Sequence, residues 1–280
     1  MRHLFKTQNY MKRFIIFLVV SILGAAIFLL TQLPVVTGRG AEEVKRMIEK
    51  VESISLFEKT LFISDVHLIS GLPIEDQFNL DFSDVRNLVI VGDFFHTPEH
   101  FAKYGDSETE SLRNVLSDFV PEDFSGQIFF INGESHDPIL SNVNELIFDN
   151  FTFRYLGEYG KFDVDGVPVV AFHGRQIHTG IIGGGISWIA RSLGYPLPLE
   201  RLARRRFGID EATWLITGHS HVPAIQGDKK MANTGSFVGA PFNKYIFKIH
   251  IGTGILFDGE KVELLEFQNL HIKNLYPFAI

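Results

Sequence analysis

The side chains that could do chemistry are carboxylates and imidazoles gathered in a few short turns. Asp65 and His67 stand two apart, Asp93 follows Gly92 with His96 three residues on, and His136 adjoins Asp137. His173 precedes Gly174, and His219 and His221 again stand two apart. Six of the 11 histidines fall in these turns, while His100, His178, His250 and His271 lie outside them. Neutral imidazole is the commonest metal ligand. Imidazole with carboxylate and without thiolate suits manganese, iron or zinc rather than an all-oxygen calcium cage. One aspartate can bridge two cations, and a pair roughly 3.5–4 Å apart clamps a phosphate and acidifies a water.

Each cluster follows a short apolar run. Residues 60–64 lead into Asp65, 87–91 into Gly92 and Asp93, 127–131 into Asn132 and Gly133, 167–172 into His173, and 213–217 into Gly218 and His219. Continuous runs of this kind suit strands buried on both faces. In open α/β sheets ligands gather beyond the carboxyl ends of strands. Asp65 and His67, two apart on a chain leaving a strand, are expected on one side of the backbone. After Lys230 the pattern turns to strands at 244–251, 254–257 and 261–267, with Asp258-Gly259 as a hairpin turn. Residues 41–53 predict an amphipathic helix, with Ala41, Val44, Ile48 and Val51 on one face. No internal repeat is present.

Composition narrows the function. The 280 residues contain no cysteine, which excludes disulfides, thiolate metal sites and cysteine nucleophiles. The formal net charge of −7 supplies no global basic field for nucleic acid. No charged residue occurs from Phe14 to Gly38, and 14–33 is almost wholly apolar. That run is long enough to span a bilayer and longer than the core of a cleaved signal peptide. The expected organisation is a basic tail at 1–13, a single-pass cell-membrane anchor at 14–33, a linker and helix at 34–57, and one folded domain at 58–280. Basic residues flank the anchor on both sides. Lys12 and Arg13 abut it and tip the positive-inside balance toward an N-terminus inside.

Taken in order, the blocks resemble the calcineurin-like metallophosphoesterases, whose signature is Asp-x-His, Gly-Asp, Gly-Asn-His-Asp/Glu, His, and Gly-His-x-His. Here stand Asp65-Val66-His67, Gly92-Asp93, Glu134-Ser135-His136-Asp137, His173-Gly174 and Gly218-His219-Ser220-His221. The resemblance implies an α/β fold, a four-layer αββα sandwich of two mixed sheets flanked by helices, preceded here by the N-terminal transmembrane helix. It also implies a dinuclear phosphoesterase with two divalent ions, manganese or an iron/zinc pair. One ion would be held by Asp65, His67, Asp93 and His221. The other would be held by Asp93, His173, His219 and the residue at the family's asparagine position, which is Ser135. Asp93 would bridge, metal-bound hydroxide would attack phosphorus, and His136 would serve the leaving oxygen with Asp137 orienting it. Ser135 departs from the pattern and is a poorer neutral ligand than an amide, so Asn132 or Glu134 could replace it.

Between His173 and Gly218 the sequence reads as an insertion. Gly183-Gly184-Gly185 is expected to be a flexible joint. Ile186, Ile189 and Leu193 share a helical face, and Arg201, Arg204, Arg205 and Arg206 follow. This is either a solvated basic hairpin or a cap meeting an acyl chain and phosphates. The block from Leu61 to Leu68 also looks like the branch that includes the UDP-diacylglucosamine pyrophosphohydrolases, although Gly92-Asp93-Phe94-Phe95-His96 lacks that branch's usual closing acid. The expected partners are the membrane and a phosphate-containing small molecule or lipid-linked substrate, rather than nucleic acid. A nuclease and a metal-binding scaffold with little turnover are the alternatives.

Overall fold

Alternation within the apolar runs decides which way each strand faces. The computed structural model describes residues 40–70, 84–133, 135–177, 180–238, 252–259 and 261–267. In chain order its strands are β1 (Ile54–Leu56), β2 (Thr60–Ile63), β3 (Asn87–Val91), β4 (Gln127–Ile131), β5 (Glu145–Ile147), β6 (Thr152–Gly157), β7 (Gly160–Val164), β8 (Val167–Ala171), β9 (Trp214–Thr217), β10 (Ala224–Gln226), β11 (Met231–Asn233), β12 (Thr253–Asp258) and β13 (Lys261–Glu266). The helices are α1 (Ala41–Lys50), α2 (Pro98–Phe101), α3 (Glu108–Phe119), α4 (Gly180–Ser192) and α5 (Pro198–Phe207).

One sheet runs β1-β7-β8-β9-β11-β10 and the other β13-β12-β2-β3-β4-β6-β5. Both are mixed. Strands β2, β3, β4 and β6 are parallel neighbours, as are β8, β9 and β11, while β12 pairs antiparallel with β2. Phe62, Val89, Val91, Phe129 and Ile131 face the opposite sheet and meet Phe162, Val169, Ala171, Trp214 and Ile216. The alternate residues Leu61, Ile63, Leu88, Ile90, Ile128 and Phe130 pack on Leu112, Val115, Leu116 and Phe119 of α3. On the far side Val170, Phe172 and Leu215 pack on Val44 and Ile48 of α1 and on Leu199, Ala203 and Phe207 of α5. The layers are therefore helix, sheet, sheet, helix. Four phenylalanines, Phe62, Phe129, Phe162 and Phe257, lie between the sheets, where Phe62 meets Phe162 and Phe257 edge-on with centroids 5.8 and 5.4 Å apart. Each such buried ring contributes about 1.5–3 kcal/mol through the area it removes from water.

Three expectations change. The segment expected as linker and helix is packed on the fold from Ala41 onward, because α1 buries Val44 and Ile48 against α5 and β1 pairs with β7. The helix stops at Lys50, and Val51 is already extended. The glycine run at 183–185 lies inside α4 rather than forming a joint. The apolar run at 14–33 and the strand expected at 244–251 lie outside the described residues. Among the described residues no helix is long and apolar enough to cross a membrane. Asp258-Gly259 does turn β12 into β13, with Asp258 opposite Lys261.

Candidate metal centre

The site forms where the carboxyl ends of two parallel groups converge. From one sheet, β2 delivers Asp65 and His67, β3 delivers Asp93, and β4 leads to His136. From the other, β8 delivers His173 and β9 delivers His219 and His221. The group therefore straddles both sheets.

The backbone does not continue as extended strand. Asp65, His67, Asp93, His219 and His221 have φ values of 53, 54, 50, 63 and 56°, all in the left-handed region. Non-glycine residues there cost about 1–3 kcal/mol each and cluster at functional sites. The Asp-x-His and His-x-His spacings thus converge through paired left-handed turns, not through strand alternation. The loops after β2 and β3 hold one another in that shape. Asp65 N donates to Gly92 O at 3.0 Å, His67 N to Asp93 O at 3.0 Å and Leu68 N to Phe94 O at 2.8 Å. Gly92 itself has φ 78°, and a Cβ there would lie 2.7 Å from the His173 ring. Only glycine satisfies both conditions.

The ligand-type atoms are close. His221 Nε2 lies 2.9 Å from Asp65 Oδ1, and His173 Nε2 lies 3.1 Å from Asp93 Oδ2. His67 Nε2 sits 3.9 Å from Asp93 Oδ2 and 4.0 Å from Asp65 Oδ1. His173 Nε2 and His219 Nδ1 are 3.0 Å apart. Asp65, Asp93, His173 and His219 each place one such atom within 4.8 Å of the others, and Asp65, His67 and His221 form a second group that shares Asp65. Asp93 Oδ2 lies between His67 and His173, the imidazoles assigned above to different ions.

Burial and charge explain the titration of this group. Burial would raise Asp65, but the imidazoles of His221 and His173 hold it well below the usual carboxylate range. Asp93 is lowered against burial by His173 in the same way. Burial disfavours the His173 cation, yet Asp93 and Asp65 outweigh it and take His173 to about 10. Burial dominates at His67 and pushes it down to about 3. His173 Nδ1 lies 2.9 Å from the Val91 carbonyl, which can only accept, so Nε2 faces the carboxylates. A cation fits this chemistry. Both ring nitrogens of His67 and Oδ1 of Asp93 are buried without a hydrogen-bond partner. Orphaned buried donors and acceptors are rare unless an ion or water completes them.

Asp137 does not do what its neighbour suggests. Its Oδ2 accepts from Asp93 N and Gly133 N, both at 2.7 Å, and its Oδ1 from Phe94 N at 2.8 Å and Phe95 N at 3.1 Å. It ties the ends of β3 and β4 together. His136 is oriented instead by the His96 carbonyl, 2.5 Å from its Nδ1, and its Nε2 lies 4.0 Å from Asp93 Oδ2. Residue 96 thus serves through its main chain, a role that its side chain gave no signal of. The ring of His96 stands edge-on to His67, centroids 5.9 Å apart. Ser135 is exposed, with its amide on Gly133 O at 3.0 Å, and so adds no buried oxygen to the group. Asn132 is buried but donates Nδ2 to Pro138 O at 2.7 Å. Glu134 lies outside the described residues.

Two of the four α5 arginines are held in contacts within the fold. Arg204 donates to the carbonyls of Thr213 and Lys230 at 2.6 and 2.8 Å. Arg201 stacks on Tyr195, 4.5 Å from the ring centre, and donates to Gln226 Oε1 at 2.7 Å. Helix α4 lies against the turn that carries the last histidines. A Cβ on Gly184 would come within 2.9 Å of Ser220 O, and Arg191 Nη1 donates to Pro223 O at 2.6 Å.

No family model matches the sequence, and no curated protein matches it. Among solved structures the chain is similar to wild-type Vps29 complexed with zinc from Entamoeba histolytica, at 14% identity and a TM-score of 0.39, over 74% of this chain and 97% of that one. It is also similar to vacuolar protein sorting 29 from Cryptosporidium parvum, at 16% identity and a TM-score of 0.37, over 75% of this chain and 97% of that one. A novel archaeal phosphodiesterase matches at 16% identity and a TM-score of 0.37, over 74% of this chain and 98% of that one. Likenesses this weak leave the functional reading to the side chains themselves.

Proposed function

We propose that this chain is a dinuclear metal-dependent phosphoesterase of the calcineurin-like kind, hydrolysing a phosphomonoester, phosphodiester or pyrophosphate. The observation that carries this reading is the convergence of Asp65, Asp93, His173 and His219, with ligand atoms within 4.8 Å, on the group formed by Asp65, His67 and His221. Asp65, His67, Asp93 and His221 would hold one divalent ion. Asp93, His173 and His219 would hold the other. Cations in these places supply positive charge to clamp a phosphate and acidify a water.

The chain's own groups account for the rest. Val91 O fixes the His173 ring, and the His96 carbonyl fixes that of His136. Nε2 of His136, which carries a proton only in the imidazolium, is the atom available to a leaving-group oxygen. Asp137 holds the amides behind Asp93 so that its carboxylate keeps its place. The apolar run at 14–33 supports a single-pass anchor with the N-terminus inside, and an anchored enzyme is suited to a lipid-linked phosphate substrate.

The test is hydrolysis of aryl phosphate mono- and diesters by the purified full chain with manganese. Asp93→Ala should abolish turnover, and His136→Ala should slow it by about 10²–10⁴-fold, the range of a lost general acid. Undiminished turnover by Asp93→Ala protein refutes the reading. The exposed Ser135, which leaves the second ion a ligand short, favours a second reading of a metal-binding scaffold. Two bound ions with no hydrolysis of mono-, di- or pyrophosphate esters would decide for it.

A further inference from the structure

Helix α5 turns one carboxylate inward. Leu199, Ala203 and Phe207 bury its apolar face, and Glu200 lies among them at 2% exposure. A buried carboxyl costs free energy unless hydrogen bonds compensate it. Burial raises its pKa, and hydrogen bonds from Asn233 and Thr217 only partly oppose that. The hydrogen bonds show what it is for. Glu200 Oε1 accepts from Thr217 Oγ1 at 3.0 Å and from Asn233 Nδ2 at 2.9 Å. Asn233 Nδ2 also lies 2.8 Å from the Gly218 carbonyl, and Gly218 N donates to His173 O at 2.9 Å. Gly218 is the residue before His219. From Thr217 the network continues: Thr234 N donates to Thr217 O at 2.9 Å, Thr234 Oγ1 lies 2.6 Å from Ser64 Oγ, and Ser64 Oγ donates to Asp65 Oδ2.

We propose that Glu200 is a positioning residue for the metal centre: from the insertion it fixes the Thr217–Gly218 turn, and so the place of His219 beside His173. The inference rests on the dinuclear reading above. It gives the α4–α5 hairpin a grip on that turn from both sides, with Glu200 behind it and Gly184 and Arg191 of α4 against Ser220 and Pro223. Outer-shell partners that hydrogen-bond a ligand change metal affinity by about 10–100-fold when removed, and Glu200, which acts one step further back through Thr217 and Asn233, is expected at the low end of that range.

The experiment compares Glu200→Ala, Glu200→Gln and Thr217→Val in the full chain. Manganese stoichiometry and stepwise affinity are read by competition with a fluorescent chelator, and kcat and KM with an aryl phosphate. Glu200→Ala should weaken the second of the two ions about tenfold or more and lower kcat with little change in KM. Glu200→Gln keeps the Oε1 acceptor and should bind both ions within about threefold of wild type, a rescue that bulk destabilisation would not produce. Thr217→Val removes one donor with Glu200 in place and should weaken the second ion alone, which decides the matter if Glu200→Ala does not fold. Two ions bound with wild-type affinity by Glu200→Ala, or by Thr217→Val where the alanine variant is unfolded, overturn the proposal and leave the dinuclear reading standing. Fewer than two ions on the wild type overturn both.

Discussion

Raising the pH from 7 to 9 should tighten divalent-metal binding about ninety-fold, because the metal must displace a proton from His173. Asp93 Oδ2 at 3.1 Å and Asp65 Oδ1 at 4.0 Å outweigh the cost of burial and hold that imidazole protonated up to about 10 in the metal-free protein. Nδ1 is committed to the Val91 carbonyl, so the proton to be lost is on Nε2, the ligand atom. The sign follows from competition. Below the pKa the proton occupies the ligand, and affinity rises tenfold per unit until the proton is gone. At pH 7 this competition costs about 4 kcal/mol of apparent binding energy, at about 1.4 kcal/mol per unit. His221 is also raised, with burial opposed by Asp65, and adds to the slope in the same direction. The assay is manganese titration against a competing chelator across that range, paired with calorimetry at pH 7.5 in two buffers of different ionisation enthalpy. At least one proton should be released per protein. Asp93→Asn removes the largest influence raising His173, so its slope should flatten while its affinity falls. Affinity constant within about threefold from pH 7 to 9, with no proton released, would refute the electrostatic argument.

Other outcomes follow from single contacts. A Cβ on Gly218 would fall 2.2 Å from Ser64 Oγ and 2.6 Å from Asp65 Oδ2, so Gly218→Ala should cost about 1–3 kcal/mol in urea unfolding and weaken metal binding. Phe62→Ala empties the space between the sheets and should cost about 3–5 kcal/mol, read as a lower denaturation midpoint with an unchanged slope. Burial raises the pKa of Glu200 above its ordinary 4.5, so the folded state keeps that proton to higher pH than the unfolded state. Metal-free wild type should therefore lose stability relative to Glu200→Gln as pH rises above 4.5, and should show no such trend below it.

The strands that carry the site were legible because residues 61–63, 88–91 and 128–131 are apolar without interruption, as burial between two layers requires. Strands β1 and β5 were not. They are three residues long and partly exposed, and β1 gains its identity only from Phe162 and its neighbours, far along the chain. The clustering of Asp65, Asp93, His173, His219 and His221 followed from their places at strand ends. The left-handed turns that aim four of them did not, since the enrichment of aspartate and histidine in that conformation is too weak to mark a particular residue. Asp137 misled because its neighbour in sequence is His136, whereas its partners are amides more than forty residues earlier and Gly133 N. Glu200 was hidden in a charge run whose arginines read as a solvated face. Its burial is a tertiary fact.

The ligand groups come from both halves of the sandwich, which has a mechanical consequence. Ions seated there would act as rivets through the seam where β2 and β3 face β8 and β9. Chelation would then free one sheet to shear against the other, and amide hydrogens along those four strands would exchange faster, although the aromatic filling between them stays intact.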